Sequence, residues 1–193
     1  MPRTNIFYRG DTRGPEEIKR DGFQLQSEAM ATVQQYGGIS GYMLHQLNIH
    51  TKDTDVQRWV ITGKDKSRPT ISTAKNEGCG GYGSGYIYKI DFGNDLTTHA
   101  LDGNLVPFAH GGNYGLRVYM NTGAQSLATA QIIALSLKVG TKEVAFLTPI
   151  PSTYITEYRD ARLTASTFQS MLGVTAAQST APKKLNRVWP PVK

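Results

Sequence analysis

A β-favouring run near the start of the chain breaks directly into a turn that contains two arginines. The run begins at Ile6 and ends in the sequence Arg-Gly-Asp-Thr-Arg at positions 9–13, and Pro-Glu-Glu follows at positions 15–17. Proline and acidic residues are typical of the first turn of a helix. The pattern therefore predicts a strand over residues 5–9 and a short helix from Pro15 to Gly22, where glycine ends it.

The two arginines of this turn, Arg9 and Arg13, precede the N-terminus of the predicted helix. A guanidinium group offers planar, forked donors, and a helix N-terminus adds main-chain N–H groups that point at an anion. Such a strand–turn–helix unit is well equipped to hold a diphosphate. For this stretch taken alone, a salt-bridged surface turn is the alternative and the more frequent one.

Two later stretches place polar groups on predicted strands. Residues 68–73 predict a strand, because Thr and Ile favour that state, and this strand carries Ser72 and Thr73. Farther on, Glu143 stands at the head of an apolar run. A carboxylate that enters an apolar strand is costly unless it is partnered, and Ser72 is a candidate partner. A hydroxyl or a charge on the solvent face of a strand is the alternative in each case.

In this order, Arg9, the Ser72–Thr73 pair and Glu143 resemble the motifs of the cholera-toxin and pertussis-toxin class of mono-ADP-ribosyltransferases. The first stretch resembles the cholera-toxin sequence Tyr-Arg-x-Asp-x-Arg-x-Pro-x-Glu-Ile-Lys nearly residue for residue, and the resemblance extends over roughly residues 5–160. It implies an α+β fold with a split β-sheet core, in which two antiparallel-rich sheets pack together with short flanking helices. It also implies a catalytic domain over residues 1–170 and a basic, proline-rich tail over residues 171–193.

The resemblance implies a role for each motif residue. Arg9 matches the arginine that binds NAD and braces the site, Glu143 matches the catalytic glutamate, and Ser72 matches the serine that hydrogen-bonds it. Further implied contacts with NAD come from Asp11, Arg13, Thr73, His45, Tyr82 and Tyr86. Several alternatives stay open, because spacing does not choose between His45 and His50, and Asp11 equally suits a turn or a cap. Either tyrosine equally suits core packing.

The implied activity is cleavage of NAD at the nicotinamide–ribose bond and transfer of ADP-ribose to a macromolecular acceptor. NAD is then a substrate, and no metal is expected, since no Cys/His set has zinc spacing. The family also implies a toxin-like effector that is secreted or injected and acts in the cytoplasm of a target cell. A delivery or activating partner is compatible with that implication, and a membrane is not expected as a partner.

Thr141 departs from the pattern of the arginine-modifying members, which carry a second acid two residues before the catalytic glutamate. A hydroxyl does not accept a proton from a guanidinium as a carboxylate does, so the acceptor stays open between a protein side chain and a nucleic-acid base. Two other functions also stay open. One is an NAD glycohydrolase with water as acceptor, and the other is a non-catalytic module in which the net charge of +6 binds polyanions or proteins.

The rest of the chain carries weaker signals. Apolar residues at helical spacing between Gln125 and Val139 predict the best helix of the chain, and Ser27–Tyr36 predicts a second short one. Alternation predicts a strand over Tyr86–Asp91, residues 92–117 are predicted as loop, and Ile155–Leu163 is predicted as the last core strand.

The composition indicates one loop-rich domain. With 20 Gly, 9 Pro and 10 Tyr among 193 residues, a largely β or α+β protein is favoured over a helical bundle. Cys79 is the only cysteine, which excludes an intrachain disulfide. The sequence has no long apolar run and no signal-peptide core, so we expect neither a transmembrane helix nor a cleaved leader.

Overall fold

Nine strands, one α-helix and two 3₁₀ helices (Ser152–Tyr154 and Met171–Gly173) make up the regular structure of the described part of the chain. The computed structural model describes residues 5–25, 71–78, 85–100, 116–125, 129–137 and 143–177. The helix is α1 (Pro15–Asp21). In chain order the strands are β1 (Ile6–Asp11), β2 (Ile71–Ala74), β3 (Tyr86–Asp91), β4 (Leu96–Ala100), β5 (Leu116–Asn121), β6 (Ile133–Leu137), β7 (Glu143–Phe146), β8 (Ile155–Asp160) and β9 (Gln169–Ser170).

All nine strands belong to one antiparallel sheet with the order β4-β5-β6-β7-β2-β1-β3-β8-β9. The expected α+β fold with a split core of two packed sheets and short flanking helices is therefore wrong. The described part of the chain is mostly β, and α1 is its one α-helix. That expectation came from the family resemblance. In addition, two segments that were predicted as helix and loop form strands that extend the sheet.

The second half of the helix predicted over Gln125–Val139 is instead a strand, β6. Ile132, Ile133 and Ala134 are consecutive and all buried, so the chain here is covered on both faces of the sheet. A strand that is buried on both faces loses the alternating pattern, and its apolar run then imitates a helical stripe. In the same way the predicted loop over residues 92–117 contains β4 and the start of β5.

The first motif folds as predicted. A strand runs to Asp11, α1 begins at Pro15, and Gly22 follows the helix with φ +62°, in the left-handed region that favours glycine. The strand predicted over Tyr86–Asp91 is β3. The last predicted strand ends at Asp160 rather than at residue 163, and the short strand β9 follows it at the sheet edge.

Aromatic side chains fill the core on the side of the sheet where α1 packs. The Phe7 ring makes edge contacts with Phe92, Tyr119 and Phe146 at centroid distances of 6.1, 5.7 and 5.4 Å. Ile18 anchors α1 in this core with no exposed surface. The large buried apolar area fixes the helix against the sheet and so fixes the position of the arginine turn that precedes it.

The seam between β1 and β2 is the least paired in the sheet. These strands pair only at Tyr8 and Ala74, whereas β1 pairs with β3 at six positions and β2 pairs with β7 at four. This seam lies at the centre of the strand order, between the strands that carry the predicted site residues.

Two sequence predictions fall on parts of the chain that the structure does not describe: the helix over Ser27–Tyr36, and residues 178–193 of the predicted tail. The domain division at residue 170 stays a prediction. Within the six described ranges, no helix is long and apolar enough to cross a membrane.

Candidate functional site

Three adjacent strands bring the three sequence motifs together. Arg9 lies on β1, Ser72 and Thr73 lie on β2, and Glu143 is the first residue of β7. These strands are consecutive neighbours at the middle of the sheet. The topology thus gathers segments that are far apart in the sequence into one region.

Arg9 crosses the β1–β2 seam with its side chain. Its Nη1 donates a hydrogen bond of 2.8 Å to the carbonyl oxygen of Ser72, although the two residues are 63 positions apart. Tyr8 and Ala74 are paired, so their side chains leave the sheet on the same face. Because side chains alternate along a strand, Ser72 shares that face and Arg9 leaves the sheet on the opposite one. The contact therefore runs through the Ser72 main chain, and the guanidinium supplies a donor where the seam lacks further strand pairing.

Asp11 holds both arginines of the turn. Arg13 donates to its carboxylate through Nε at 2.9 Å, through Nη2 at 2.8 Å and through the main-chain N–H at 3.0 Å. The Nε of Arg9 lies 3.5 Å from the same carboxylate. Burial opposes ionisation of Asp11 and is the largest single influence, but the Arg13 hydrogen bonds and both positive charges together lower its pKa. Asp11 is thus a carboxylate at neutral pH.

Arg9 and Arg13, which we call the arginine pair, keep part of their surface open. Their side chains are 26% and 31% exposed, whereas the Asp11 side chain is only 9% exposed. Hydrogen bonds to Asp11 and burial act on Arg13 in opposite directions, and the hydrogen bonds prevail and raise its pKa. The pair therefore presents two permanent, oriented positive charges of the kind that bind phosphate groups.

Two aromatic side chains hold the arginine pair in place. Both guanidinium carbons lie over the Phe23 ring, 5.2 Å from its centroid for Arg9 and 5.7 Å for Arg13. The Tyr88 hydroxyl donates a 2.6 Å hydrogen bond to the main-chain oxygen of Arg13. Burial is the main influence that raises the pKa of Tyr88, so its hydroxyl stays protonated and remains a donor.

The β2–β7 ladder sets Ser72 beside Glu143. Ala74 pairs with Glu143 and Ser72 pairs with Ala145, which makes Ser72 a diagonal neighbour of Glu143. The sequence-based pairing of these two residues is thus compatible with the register.

Thr73 lies between these positions and is buried. Its hydroxyl donates a 2.7 Å hydrogen bond to the carbonyl oxygen of Val144 on β7. The Thr73 hydroxyl therefore donates its proton inside the sheet, and this bond links β2 to β7, the strand that begins at Glu143.

Tyr86 lies on β3, so β1 separates it from Ser72. Its ring contacts those of Tyr88 and Tyr158 at 6.2 and 6.3 Å, and the Arg162 guanidinium lies 5.0 Å from its centroid. Tyr86 also lines an open cavity of about 540 Å³. Other residues of that cavity are Pro15, Glu16, Tyr158, Asp160, the loop 163–167 and Gln169.

His45, Tyr82 and Thr141 lie outside the described residues. In the ranges that the structure does describe, no group of three or more His, Cys, Asp or Glu side chains is arranged to hold a metal ion.

Two features of the site were missed at the level of sequence. The first is the Phe23 ring, because nothing in the sequence near Phe23 signals that two guanidiniums cover it. The second feature is a repeat of the Asp-x-Arg fork at Asp160–Arg162, where Nε and Nη2 donate at 2.8 and 2.6 Å. This one was visible, because Asp-x-Arg ends both β1 and β8 in the sequence.

No protein-family model and no curated protein sequence matches the chain. Among solved structures, the chain is similar to one named EcPltA, with a TM-score of 0.40 and 16% sequence identity. The match covers 91% of this chain and 92% of that one. A similarity at this level carries no argument about function.

Proposed function

We propose that this protein is a toxin-like mono-ADP-ribosyltransferase that cleaves NAD at the nicotinamide–ribose bond and transfers ADP-ribose to a macromolecular acceptor. One observation carries the proposal: the Arg9 guanidinium donates to the main chain of Ser72, on the strand next to the one that begins at Glu143. The motif resemblance supplies the order of the residues along the chain, and the strand pairing supports it by placing their three strands side by side.

The arginine pair supplies the grip on the diphosphate of NAD in this proposal. Two guanidiniums around one carboxylate keep a net positive charge, and their exposed surface faces solvent. Asp11 and the Phe23 ring hold them in place before any ligand arrives, so little side-chain entropy is lost on binding. Oriented charges that need no reorganisation are the most effective electrostatic groups in an active site.

Glu143 supplies negative charge near the ribose. Departure of nicotinamide leaves an oxocarbenium-like cation, as in glycoside cleavage, and a carboxylate close to that centre lowers the barrier. In our proposal Glu143 also hydrogen-bonds the ribose 2′-hydroxyl, and Ser72, its diagonal neighbour, orients it. No proton needs to reach the leaving group, because nicotinamide departs as a neutral ring.

The acceptor in this proposal is a protein side chain or a nucleic-acid base, with Thr141 acting on that choice. The protein is proposed to act in the cytoplasm of a target cell after secretion or injection, with a delivery or activating partner. These parts rest on the family resemblance alone.

The test is nicotinamide release from NAD by the purified protein, compared with Glu143→Gln and with Glu77→Gln. The control removes the same charge from an exposed position on the turn after β2. We expect Glu143→Gln to lower the rate about 100-fold or more, as removal of one electrostatic group at a transition state does. The control is expected to keep the wild-type rate.

Radiolabelled NAD in target-cell lysate then identifies the acceptor. Label on protein or nucleic acid that depends on Glu143 supports the transferase and names its acceptor class. Glu143-dependent release with no labelled macromolecule supports the glycohydrolase. Release that is absent from the wild type, together with salt-sensitive polyanion binding, refutes both enzymes and supports the binding module.

A further inference from the structure

The Phe23 ring is a shared platform under the arginine pair. Both guanidinium carbons lie within 6 Å of its centroid, at 5.2 and 5.7 Å, which is the range of a cation–π contact. Of the described residues, Phe23 is the one aromatic side chain with two cations over its ring. The two arginines share two partners, the Asp11 carboxylate and the Phe23 ring.

The platform itself is rigidly held. Phe23 is 1% exposed, and its ring makes an edge contact with Tyr88 at 5.7 Å. Its main chain exchanges two hydrogen bonds with Ile150, at 3.0 and 2.9 Å. A side chain that is fixed by a core contact and by two main-chain hydrogen bonds has one position. The two guanidiniums that pack on the Phe23 ring are therefore positioned by it.

Gly22 makes this anchorage possible. A Cβ atom at residue 22 would lie 2.4 Å from the Ile150 oxygen and 2.9 Å from the Ser152 nitrogen. The close approach and the φ of +62° both require glycine, so the chain enters Phe23 by a path that other residues disfavour. Glycine at position 22 thus allows Phe23 to pair with Ile150, which lies four residues after the end of β7.

We propose that Phe23 is a positioning residue that sets the spacing and tilt of the arginine pair for an anionic ligand. Asp11 holds each guanidinium at its edge, and Ser72 adds a second edge contact for Arg9. The Phe23 ring adds a contact with one face of each guanidinium, which fixes the tilt that the edge contacts leave less restrained. The inference rests on the proposed function only in naming the diphosphate of NAD as the natural ligand.

The experiment measures the binding of inorganic pyrophosphate by calorimetry for the wild type, Phe23→Leu and Phe92→Leu. Phe92 is the matched control, because it is a buried phenylalanine of the same core whose ring contacts are Phe7, Phe146 and Tyr154. We expect Phe23→Leu to weaken pyrophosphate binding about fivefold, the effect of losing a partly exposed cation–π contact. Phe92→Leu is expected to bind like the wild type. Phe23→Met serves the same purpose should the leucine variant fail to fold.

A second readout needs no ligand. The Nε–H resonances of the two arginines in ¹H–¹⁵N spectra report the ring current of Phe23, and they are expected to move in Phe23→Leu and stay in Phe92→Leu. Equal weakening in both variants, unchanged binding in Phe23→Leu, or no pyrophosphate binding by the wild type overturns the proposal.

NAD kinetics separate this inference from the proposed function. If the wild type cleaves NAD, Phe23→Leu is expected to raise KM about fivefold and to leave kcat within about twofold, because Phe23 acts through the arginine pair. A loss in kcat at constant KM contradicts the positioning role. If the wild type binds pyrophosphate with the expected Phe23 dependence but never cleaves NAD, the proposed function fails and the positioning role stands.

Discussion

Replacing Asp11 with asparagine removes the charge that holds the arginine pair and keeps the shape of the side chain. The carboxylate accepts three hydrogen bonds from Arg13 and lies 3.5 Å from the Arg9 Nε. Asparagine retains one acceptor oxygen and places an NH₂ group toward a guanidinium. Charge-assisted hydrogen bonds contribute about 1.5–3 kcal/mol each in buried settings, and the partial exposure of both arginines discounts that value. We expect a loss of about 2 kcal/mol in the free energy of unfolding.

The variant Asp160→Asn is the matched control. Asp160 and Arg162 repeat the fork with the same three donors at a more exposed position. Among the described residues, Arg162 is the one cation that forms an ion pair with Asp160. The assay is urea denaturation followed by circular dichroism, with a thermal scan beside it. About 2 kcal/mol corresponds to a fall of roughly 4–8 °C in Tm for a domain of this size. The control is expected to lose clearly less.

The loss in the free energy of unfolding caused by Asp11→Asn must also become smaller as the pH falls. The folded-state pKa of Asp11 is lowered, so its contribution is present above the unfolded-state pKa, near the ordinary value of 3.8, and is lost as pH falls through the lower folded-state pKa. The difference between the wild type and Asp11→Asn is therefore constant from about pH 8 to 5 and shrinks below about pH 4. An equal loss in the control, or a difference that persists unchanged at acid pH, refutes this account of the arginine pair.

Two further substitutions test how the turn is held. Gly22→Ala places a Cβ against the Ile150 oxygen at a positive φ, and we expect it to destabilise the protein by about 2–3 kcal/mol in urea. Gly93→Ala is its control, with a positive φ and no atom in the way, and is expected to cost about 1 kcal/mol. Tyr88→Phe removes the hydrogen bond to the Arg13 oxygen, and we expect a loss of about 1 kcal/mol by the same measurement.

Each of these has an outcome that contradicts it. Equal costs for the two glycine variants mean that backbone strain alone matters and the close approach to Ile150 does not. A Tyr88→Phe protein as stable as the wild type means that the Arg13 oxygen finds another donor, and the hydroxyl is then no part of the turn's support.

The sequence predicted the first motif well because its signals are local. A β-favouring run, a proline at the helix start and a glycine after it are sufficient to place β1 and α1, and both lie where they were expected. β3 was predicted for the same reason, since its alternation covers six residues. A contact between Ser72 and Glu143 was expected, but the order β7-β2-β1 was not predicted, because strand order depends on contacts between residues far apart in the chain.

The secondary-structure prediction failed where burial erases periodicity, whereas the wrong fold class came from the family resemblance. The segment around Ile133 is covered on both sides, so its apolar residues carry no alternation, and its alanines and leucines favour a helix on intrinsic propensity. The prediction of a loop at β4 was wrong for the opposite reason. The sequence Leu96-Thr-Thr-His-Ala is short and polar, and it gains its strand conformation by pairing with β5. The contact of Phe23 with both arginines could not be predicted from the sequence either. It forms only when the arginine turn, the end of α1 and Ile150 come together in the fold.

The single pair between β1 and β2 gives the sheet a mechanical line of weakness. Five strands lie on one side of this seam and four on the other, and each group is joined internally by at least two pairs at every boundary. The Arg9 Nη1 bond to the Ser72 oxygen reinforces this boundary where strand pairing is sparse. An anion that the arginine pair binds in its present geometry leaves that bond in place. Binding of the ligand and cohesion between the two halves of the sheet therefore depend on the same side chain.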